Sequence, residues 1–218
     1  MSKDRTSNRL ADRVAFVTGA SSGIGRAITV EFAEQGAYVI VADKRRTPKL
    51  ADESLVFDRL DEIGADYHYT ELDVSGPKSV EDSIDEAIEK FGRLNIVVNN
   101  AGVYYQDTAT NAPVEDWNTT MNVNLRGAFL VCKEAVPHLR EEKNSKIINL
   151  ASMYGIVGAK DSAAYCASKG GVANFTRQLA LDYAEDHINV NALAPGIIKT
   201  AQNVEWRESD PELVAKWE

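Results

Sequence analysis

The stretch VAFVTGASSGIG, residues 14–25, decides the fold of this chain. It begins as a continuous apolar run, which is typical of a strand covered on both faces, and passes at once into closely spaced glycines. A helical pattern with apolar Ile24, Ile28 and Phe32 follows. Such a turn lets backbone N–H groups approach a phosphate, because a helix N-terminus carries free donors and partial positive charge. The spacing differs from G-x-G-x-x-G, and a purely structural glycine turn remains the alternative.

Six short apolar or β-branched runs alternate with helical patterns along the chain. They are Val14–Thr18, Tyr38–Ala42, Tyr67–Leu72, Ile96–Asn99, Lys146–Leu150 and Ile188–Leu193. Repeated β-α-β units predict a parallel sheet with right-handed crossovers and helices on both faces. We therefore expect one α/β domain over residues 1–218, a doubly wound Rossmann-type sheet in the order 3-2-1-4-5-6.

Two helical faces can be read between these runs. The first is marked by Val80, Ile84, Ala87, Ile88 and Phe91, and a longer one by Trp117, Met121, Ala128, Cys132, Ala135 and Leu139. Asp210 and Pro211 predict a helix start near the end of the chain. No further apolar strand follows in the sequence.

Composition excludes several classes of protein. The net charge of −9 disfavours binding to nucleic acid, which requires a surplus of Lys and Arg. The N-terminal residues are polar, and no apolar run approaches the roughly 20 residues of a membrane span, so we expect a cytoplasmic protein. Cys132 and Cys166 lie in apolar helical patterns and are expected to be core residues rather than a disulfide. No metal site is expected.

Asp43 ends the second predicted strand, where a dinucleotide fold places the acid that accepts the adenosine-ribose hydroxyls. A carboxylate there repels a 2′-phosphate, which favours NAD over NADP. The basic turn that follows, Lys44–Pro48, is most simply a solvated loop, but Lys44, Arg45 and Arg46 could also hold a phosphate. The choice of NAD is therefore a preference, with NADP the alternative.

Tyr165 and Lys169 stand four residues apart in a helical stretch and share one face. A free tyrosine has a pKa near about 10, and a nearby ammonium lowers it, as would the positive ring of an oxidised nicotinamide. The phenol could then exchange a proton with an alcohol or carbonyl. Ser152 follows the fifth strand and could hydrogen-bond the substrate oxygen. An exposed Tyr-Lys pair and an ordinary loop serine would give the same spacing.

Asn124 lies on the apolar stripe of the longer helix, where a carboxamide must find hydrogen-bond partners. It could order a water that relays protons through Lys169, or it could brace the neighbouring strand. Asn122 lies off the stripe and ranks lower. The fourth strand ends with Asn99-Asn100-Ala101-Gly102, and these residues suit backbone bracing near a cofactor.

Together these residues resemble the short-chain dehydrogenase/reductase family. The matching elements are Thr18-Gly19-x-x-x-Gly23-x-Gly25, Asp73-Val74, Asn99-Asn100-Ala101-Gly102, Asn124, Ser152, Tyr165-x-x-x-Lys169 and Pro195-Gly196. The resemblance covers Arg13 to about Thr200. Members of this family usually continue through a substrate-covering helix pair and a seventh strand, so the resemblance implies that the seventh strand is missing and the region from about residue 197 is incomplete. It implies an NAD(H)-dependent oxidoreductase that interconverts a secondary alcohol and a ketone.

The resemblance also implies roles for individual residues. Catalysis would involve Asn124, Ser152, Tyr165 and Lys169, with Tyr165 as general acid/base. The cofactor would be held by Gly19, Ser21, Ser22, Gly23, Ile24, Gly25, Asp43, Asp73, Val74, Asn100, Ala101, Gly102, Tyr165, Lys169, Pro195, Gly196, Ile198 and Thr200. The substrate pocket would include Ser152, Tyr154 and Tyr104, with Tyr105 and Asn203 as further candidates.

Several properties stay open at this point. Sugars, polyols, hydroxysteroids and 3-hydroxyacyl compounds are all candidate substrates, because a fold does not fix a substrate. A homodimer or homotetramer is expected by analogy, with the helices bearing Asn124 and Tyr165 at the interface. Their small residues Ala163, Ala167, Gly170 and Gly171 could serve that interface or pack within the chain. A catalytically silent NAD-binding regulator or scaffold is the alternative function.

Overall fold

The fold was obtained from a computed structural model that describes residues 8–50, 53–201 and 203–204. Strands and helices alternate along it. The strands are β1 (Val14–Thr18), β2 (Tyr38–Asp43), β3 (Tyr67–Glu71), β4 (Ile96–Asn99), β5 (Lys146–Leu150) and β6 (Asn189–Leu193). The helices are α1 (Gly23–Glu34), α2 (Val56–Ile63), α3 (Pro77–Phe91), α4 (Val114–Thr120), α5 (Gly127–Arg140) and α6 (Ala163–Asp182).

The six strands form one parallel sheet in the order β3-β2-β1-β4-β5-β6. This is the predicted doubly wound order, and the strand bounds differ from the predicted ones by a single residue at most. The order reverses between β1 and β4, which pair in register Ala15 with Ile96. In an open sheet of this kind, ligands bind at the carboxyl edge near such a reversal.

Alternation along β1 explains why helices cover both faces of the sheet. Val14 and Phe16 belong to one buried apolar cluster, and Ala15 and Val17 belong to another. All four side chains are fully buried, because successive residues of a strand point to opposite faces. Four consecutive apolar residues, two on each face, require covering on both sides of the sheet.

The long helix expected over residues 117–139 is interrupted by a π-helical turn, Met121–Arg126, between α4 and α5. A π turn contains more residues than an α turn, so it rotates the apolar stripe of α4 out of phase with that of α5. The placement of Trp117 on the buried stripe was therefore wrong, and its side chain is 40% exposed. Asn124 lies within the π turn and is buried.

Two expectations lie at or beyond the limits of this description. The helix start at Asp210-Pro211 falls outside the described residues, as does the chain that would follow β6 beyond residue 204. Within the described part, no helix is long and apolar enough to cross a membrane.

Candidate active site

An open cleft of about 350 Å³ runs along the carboxyl edge of β1, β2 and β4. Many of the predicted cofactor residues line it. They are Gly19, Ser22, Gly23, Ile24, Asp43, Asp73, Val74, Asn100, Ala101, Gly102 and Thr200. The other predicted cofactor residues do not line this cleft. They are Ser21, Gly25, Tyr165, Lys169, Pro195, Gly196 and Ile198.

The glycine turn is built at a spacing that side chains would prevent. A Cβ atom on Gly25 would lie 2.1 Å from the carbonyl oxygen of Gly19 and 2.4 Å from Nδ2 of Asn100. Gly19 itself has a φ of 66°, in the left-handed region that favours glycine. The Asn100 amide donates to the carbonyl oxygens of Thr18 and Gly19 at 2.9 and 3.1 Å. This bracing holds the turn open in front of the N-terminus of α1.

Asp43 lies at the end of β2 with its carboxylate turned toward the glycine turn. One oxygen accepts a hydrogen bond from the backbone N–H of Ser21 at 3.0 Å, and the other accepts from that of Arg45 at 3.3 Å. The side chain is only half-buried, so acceptor positions remain open to the cleft. Ser21 is buried and serves the turn through its backbone and hydroxyl rather than through the cleft.

The composition of the turn after Asp43 suggested a solvated loop, but two of its basic side chains have partners within the chain. The Lys44 ammonium lies 2.7 Å from the Asp73 carboxylate. Burial by itself would raise the pKa of Asp73, but hydrogen bonds from Lys44 and Ser75 outweigh burial and lower that pKa. The Arg46 guanidinium lies 4.6 Å from the ring centroids of both Phe57 and Tyr69, a cation-π arrangement. These contacts direct two of the three cations toward partners within the chain.

Ser152, Tyr165 and Lys169 meet beyond the end of β5. Ser152 follows that strand and is buried, while Tyr165 lies in the first turn of α6 and Lys169 one turn later. The Ser152 side chain lies near enough to the Tyr165 phenol to lower its pKa, and Nζ of Lys169 lies 5.7 Å from the Tyr165 ring centroid. The Lys169 ammonium donates to the carbonyl oxygen of Leu150 at 2.6 Å.

The electrostatics of this group differ in direction from the expectation that Lys169 lowers the pKa of Tyr165. Burial raises the pKa of Tyr165, and the nearby Ser152 side chain opposes that rise without cancelling it. Lys169 is 5% exposed, and burial lowers its pKa to about 8. Lys169 does not offset the effect of burial on the pKa of Tyr165, because its ammonium is bonded to a backbone carbonyl rather than to the phenol oxygen.

The Asn124 carboxamide is fully engaged as a donor. It donates to the carbonyl oxygen of Val103 at 3.0 Å and to the Ser168 hydroxyl at 3.1 Å, and it accepts from the Val103 N–H at 2.8 Å. These bonds brace the segment after β4. A small cavity of about 10 Å³, the size of one water, lies between Asn124 and Lys169.

The tyrosines expected in a substrate pocket separate into different surroundings. The Tyr104 ring packs edge-on against Tyr165 at 5.0 Å between centroids, and its hydroxyl lies 3.0 Å from that of Ser162. Tyr154 follows Ser152, whose hydroxyl accepts its N–H at 3.2 Å. Tyr105 lines the open cleft along β1, β2 and β4 instead and is 42% exposed.

The segment after β6 returns across both halves of the site. The Pro195 carbonyl oxygen accepts from the N–H of Met153, next to Ser152. Further along, Thr200 reaches the glycine turn, where a Cβ on Gly23 would lie 3.3 Å from its methyl group. The Asn203 side chain accepts from the Thr200 N–H at 3.1 Å and braces this return.

Sequence reasoning missed several residues at the cleft. Leu72, Lys49, Val103, Thr119 and Val123 line it, and the Glu53 carboxylate lies against the glycine turn. None belongs to a motif. Thr119 lies in α4 and Val123 in the π turn, and loops carry the others. Only the position of Leu72 beside Asp73, at the end of β3, offered a signal.

The described residues fit a dinucleotide on structural grounds alone. Gly19 and Gly23 of the glycine turn, Ser22 and Ile24 at the start of α1, and the half-buried Asp43 line one cleft. Backbone donors suit phosphate groups, and a strand-end acid suits a ribose.

Comparison with known proteins identifies the family. The family model described as short chain dehydrogenase matches residues 13–211. A 3-oxoacyl-(acyl-carrier-protein) reductase of Thermotoga maritima is 38% identical over 88% of this chain and 76% of its own length. An NAD-dependent glycerol dehydrogenase of Listeria innocua is 33% identical over 88% and 72%. The ligand-free aldohexose dehydrogenase of Thermoplasma acidophilum superposes with a TM-score of 0.80, at 30% identity, over 95% and 74% of the two chains. The chain therefore belongs to the short-chain dehydrogenase family.

Proposed function

We propose that this protein is an NAD(H)-dependent oxidoreductase that interconverts a secondary alcohol and the corresponding ketone. The observation that carries the proposal is the grouping of the Ser152, Tyr165 and Lys169 side chains at the carboxyl edge of the sheet. That edge is where the glycine turn opens its cleft. The relatives named above act on CH–OH groups or the matching carbonyls, which supports the reaction class.

Tyr165 would exchange the proton of the reacting oxygen. The Ser152 side chain lies near the Tyr165 phenol, so a substrate oxygen that accepts from both is oriented by two donors at once. Ser152 and the Tyr165 ring are largely withdrawn from water, which strengthens these hydrogen bonds. When bound, the nicotinamide ring supplies the hydride acceptor or donor and, when oxidised, a positive charge.

Lys169 would take part in the transfer of the proton and not in the transfer of the hydride. An amine with a pKa of about 8 can hold or release a proton near neutral pH. The water-sized cavity between Lys169 and Asn124 offers a site for one relay molecule beside that amine. Asn124 would position this arrangement through its bonds to Val103 and Ser168, since its two amide hydrogens are already engaged.

NAD is proposed over NADP because Asp43 turns its carboxylate to the cleft at the end of β2. Lys44 is neutralised by Asp73, and Arg46 stacks on Phe57 and Tyr69, so neither is directed toward a ribose phosphate. One relative is named as NAD-dependent, which agrees with this choice.

The substrate class is proposed as a small hydroxylated compound, of the sugar, polyol, hydroxysteroid or 3-hydroxyacyl type. Tyr104 and Tyr154 stand beside the catalytic group and offer both ring faces and hydroxyls. The named relatives act on an acyl thioester, a polyol and an aldohexose, so their names do not narrow this range.

Self-association through α5 and α6 is part of the same proposal. Phe129 on α5 is 47% exposed and lies 6.3 Å, ring to ring, from Phe175 on α6, which forms an apolar patch on those helices. Of the small residues considered for an interface, Gly171 packs inside the chain, because a Cβ there would lie 2.7 Å from Leu125. Light scattering coupled to gel filtration measures the state, and Phe129→Glu should shift it toward monomer.

The experiment that tests the function is Tyr165→Phe, which removes the exchangeable proton and keeps the ring. Turnover of a panel of polyols, sugars, hydroxysteroids and 3-oxoacyl thioesters should fall by at least about 1000-fold, while the NAD⁺ dissociation constant changes by less than about threefold. Ser162→Ala is the control, since it removes a neighbouring hydroxyl that contacts Tyr104.

Two results would contradict the proposal. Near-full activity of the Tyr165→Phe variant would remove the phenol from the mechanism. Tight NAD⁺ binding by the wild-type protein, without turnover of any compound in the panel, would instead identify a cofactor-binding regulator.

A further inference from the structure

The loop between β2 and α2 lies directly on the glycine turn. The Ser21 hydroxyl donates to the carbonyl oxygen of Arg45 at 2.8 Å, and the N–H of Lys49 donates to the Ser22 hydroxyl at 3.3 Å. The Arg26 side chain, on α1, donates to the backbone carbonyl of Ser54 at 2.9 Å. The described part of this loop is therefore attached to the turn at three separate points.

This loop places the carboxylate of Glu53 at the N-terminus of α1. One oxygen of Glu53 accepts from the Ser22 hydroxyl at 2.8 Å, and the other accepts from the backbone N–H of Gly23 at 3.0 Å. The helix has no acidic residue in its first turn, and the Ser22 side chain does not cap it. Glu53 thus occupies an anion position that the local sequence of α1 leaves open.

Two carboxylates therefore bracket three consecutive residues of the turn. Asp43 accepts from the N–H of Ser21, and Glu53 accepts from Ser22 and Gly23. Ser22, Gly23 and Asp43 all line the cofactor cleft. These residues connect the strand-end acid, which suits the ribose, to the helix N-terminus, which suits the phosphates.

We propose that Glu53 is a second acidic determinant of cofactor choice and acts with Asp43 against a 2′-phosphate. The inference rests on the proposed function, since it requires that the cleft hold a nicotinamide dinucleotide. An additional phosphate on the ribose held by Asp43 faces the carboxylate on the far side of Ser22 as well. Like charges at such short range repel, and the effect weakens with added salt.

The surrounding cations do not remove this effect. Lys44 is paired with Asp73, and Arg46 is stacked on aromatic rings. Arg45 and Lys49 line the cleft, so they attract any phosphate there. Glu53 counterbalances these cations at the adenosine end, which explains how a cleft edged by basic residues can still favour an unphosphorylated ribose.

The test is Glu53→Gln, which removes the charge and keeps a side chain of the same length. Calorimetric titration should show the ratio of NADP⁺ to NAD⁺ affinity rising by about fivefold, and the rise should shrink at high salt. The double variant Glu53→Gln with Asp43→Asn should exceed Asp43→Asn alone. Glu53→Ser, which also removes the charge, should reproduce the change in ratio.

Glu31→Gln is the matched control, because Glu31 is exposed on the same helix, eight residues beyond Gly23. That places its charge about 12 Å further along the axis, past one screening length, so the ratio should not change. An unchanged ratio in both Glu53 variants would overturn the proposal. Equal tightening of both cofactors would also overturn it, since it would make Glu53 only a competitor of the pyrophosphate. Failure of the wild-type protein to bind NAD⁺ would instead refute the proposed function.

Discussion

The site has two halves that are built in opposite ways: the adenosine half, around the glycine turn and Asp43, and the catalytic half, with Ser152, Tyr165 and Lys169. The adenosine half is formed by backbone groups at close spacing, with Gly19 and Gly25 in contact and partly exposed charges around them. The catalytic half is formed by side chains that are withdrawn from water, Lys169 above all. The first half depends on the absence of side chains and the second on the placement of specific ones.

Because of this difference, different kinds of substitution should damage the two halves. In the adenosine half, a single methyl group in the wrong place closes the site, whereas a change of charge only adjusts the choice of cofactor. In the catalytic half, a polar group held in a buried position costs stability, because desolvation disfavours its charged form. Substitutions should therefore affect binding in one half and stability with turnover in the other.

The largest effect is expected for Gly25→Ala. A Cβ at this position meets the Gly19 carbonyl oxygen at 2.1 Å and Asn100 at 2.4 Å, both parts of the braced turn. The turn must open to admit it, so NAD⁺ affinity should fall by at least about 100-fold, with a loss of stability of about 2–3 kcal/mol. Calorimetric titration and urea unfolding measure the two effects.

Gly158→Ala is the matched control, because a Cβ there meets nothing within 4 Å. It should leave both quantities nearly unchanged. Retained NAD⁺ affinity in Gly25→Ala would show that the turn is not the rigid backbone device described for the adenosine half.

The next effect is expected for Lys169→Met, in the catalytic half. The pKa of Lys169 is about 8 in the folded protein against 10.5 in a free lysine. Between these values the unfolded chain binds a proton that the folded one does not, so wild-type stability rises with pH there. Methionine avoids the cost of burying a charged amine, but it leaves the Leu150 carbonyl without its donor. The free energy of unfolding of the variant at pH 7 should therefore exceed that of the wild type by about 1 kcal/mol.

The pH dependence is the sharper readout. The stability of the variant relative to wild type should fall by about 2–3 kcal/mol between pH 7 and pH 10, as measured by urea unfolding at both values. A difference that stays constant over this range would show that Lys169 is not held against desolvation. The same measurement on Lys160→Met provides a control for loss of a lysine elsewhere.

A smaller effect is expected for Asp43→Ala, which tests the charge of the adenosine half. Its carboxylate accepts from the turn and faces the cleft, so its loss should shift the affinity ratio toward NADP⁺ by about tenfold. Dissociation constants for both cofactors provide the check. Equal or better use of NADP by the unmutated protein would remove the basis of the NAD preference.

Much of the fold was predictable from local pattern. The first four residues of β1 are apolar and buried, and with the glycine turn after them they indicate a parallel sheet covered on both faces. The strand order followed from the β-α-β repeat. The interruption of the long helix was not predictable. A π turn has no compositional signature, and it shifts the phase of the stripe that was used to place Trp117.

The candidate site divides along the same line. Residues in motifs, such as Asp43, Ser152 and Tyr165, could be named because a motif fixes their place on a strand or helix. Glu53 could not, because it reaches the turn through a loop whose path depends on tertiary contacts. The raised pKa of Tyr165 was missed for a related reason. Sequence spacing shows the nearby ammonium of Lys169, but it does not show how much water burial removes.

The most direct test of the account is the titration of Tyr165 itself, with and without NAD⁺. The phenolate absorbance of the wild-type protein minus that of Tyr165→Phe isolates this residue from the other tyrosines. Without cofactor, burial should keep its pKa above the ordinary tyrosine value, and NAD⁺ should move the signal to lower pH, because the bound cation favours the phenolate. A difference signal that titrates at the same pH in both states, or at higher pH with NAD⁺, would contradict the assignment of Tyr165 as the acid/base.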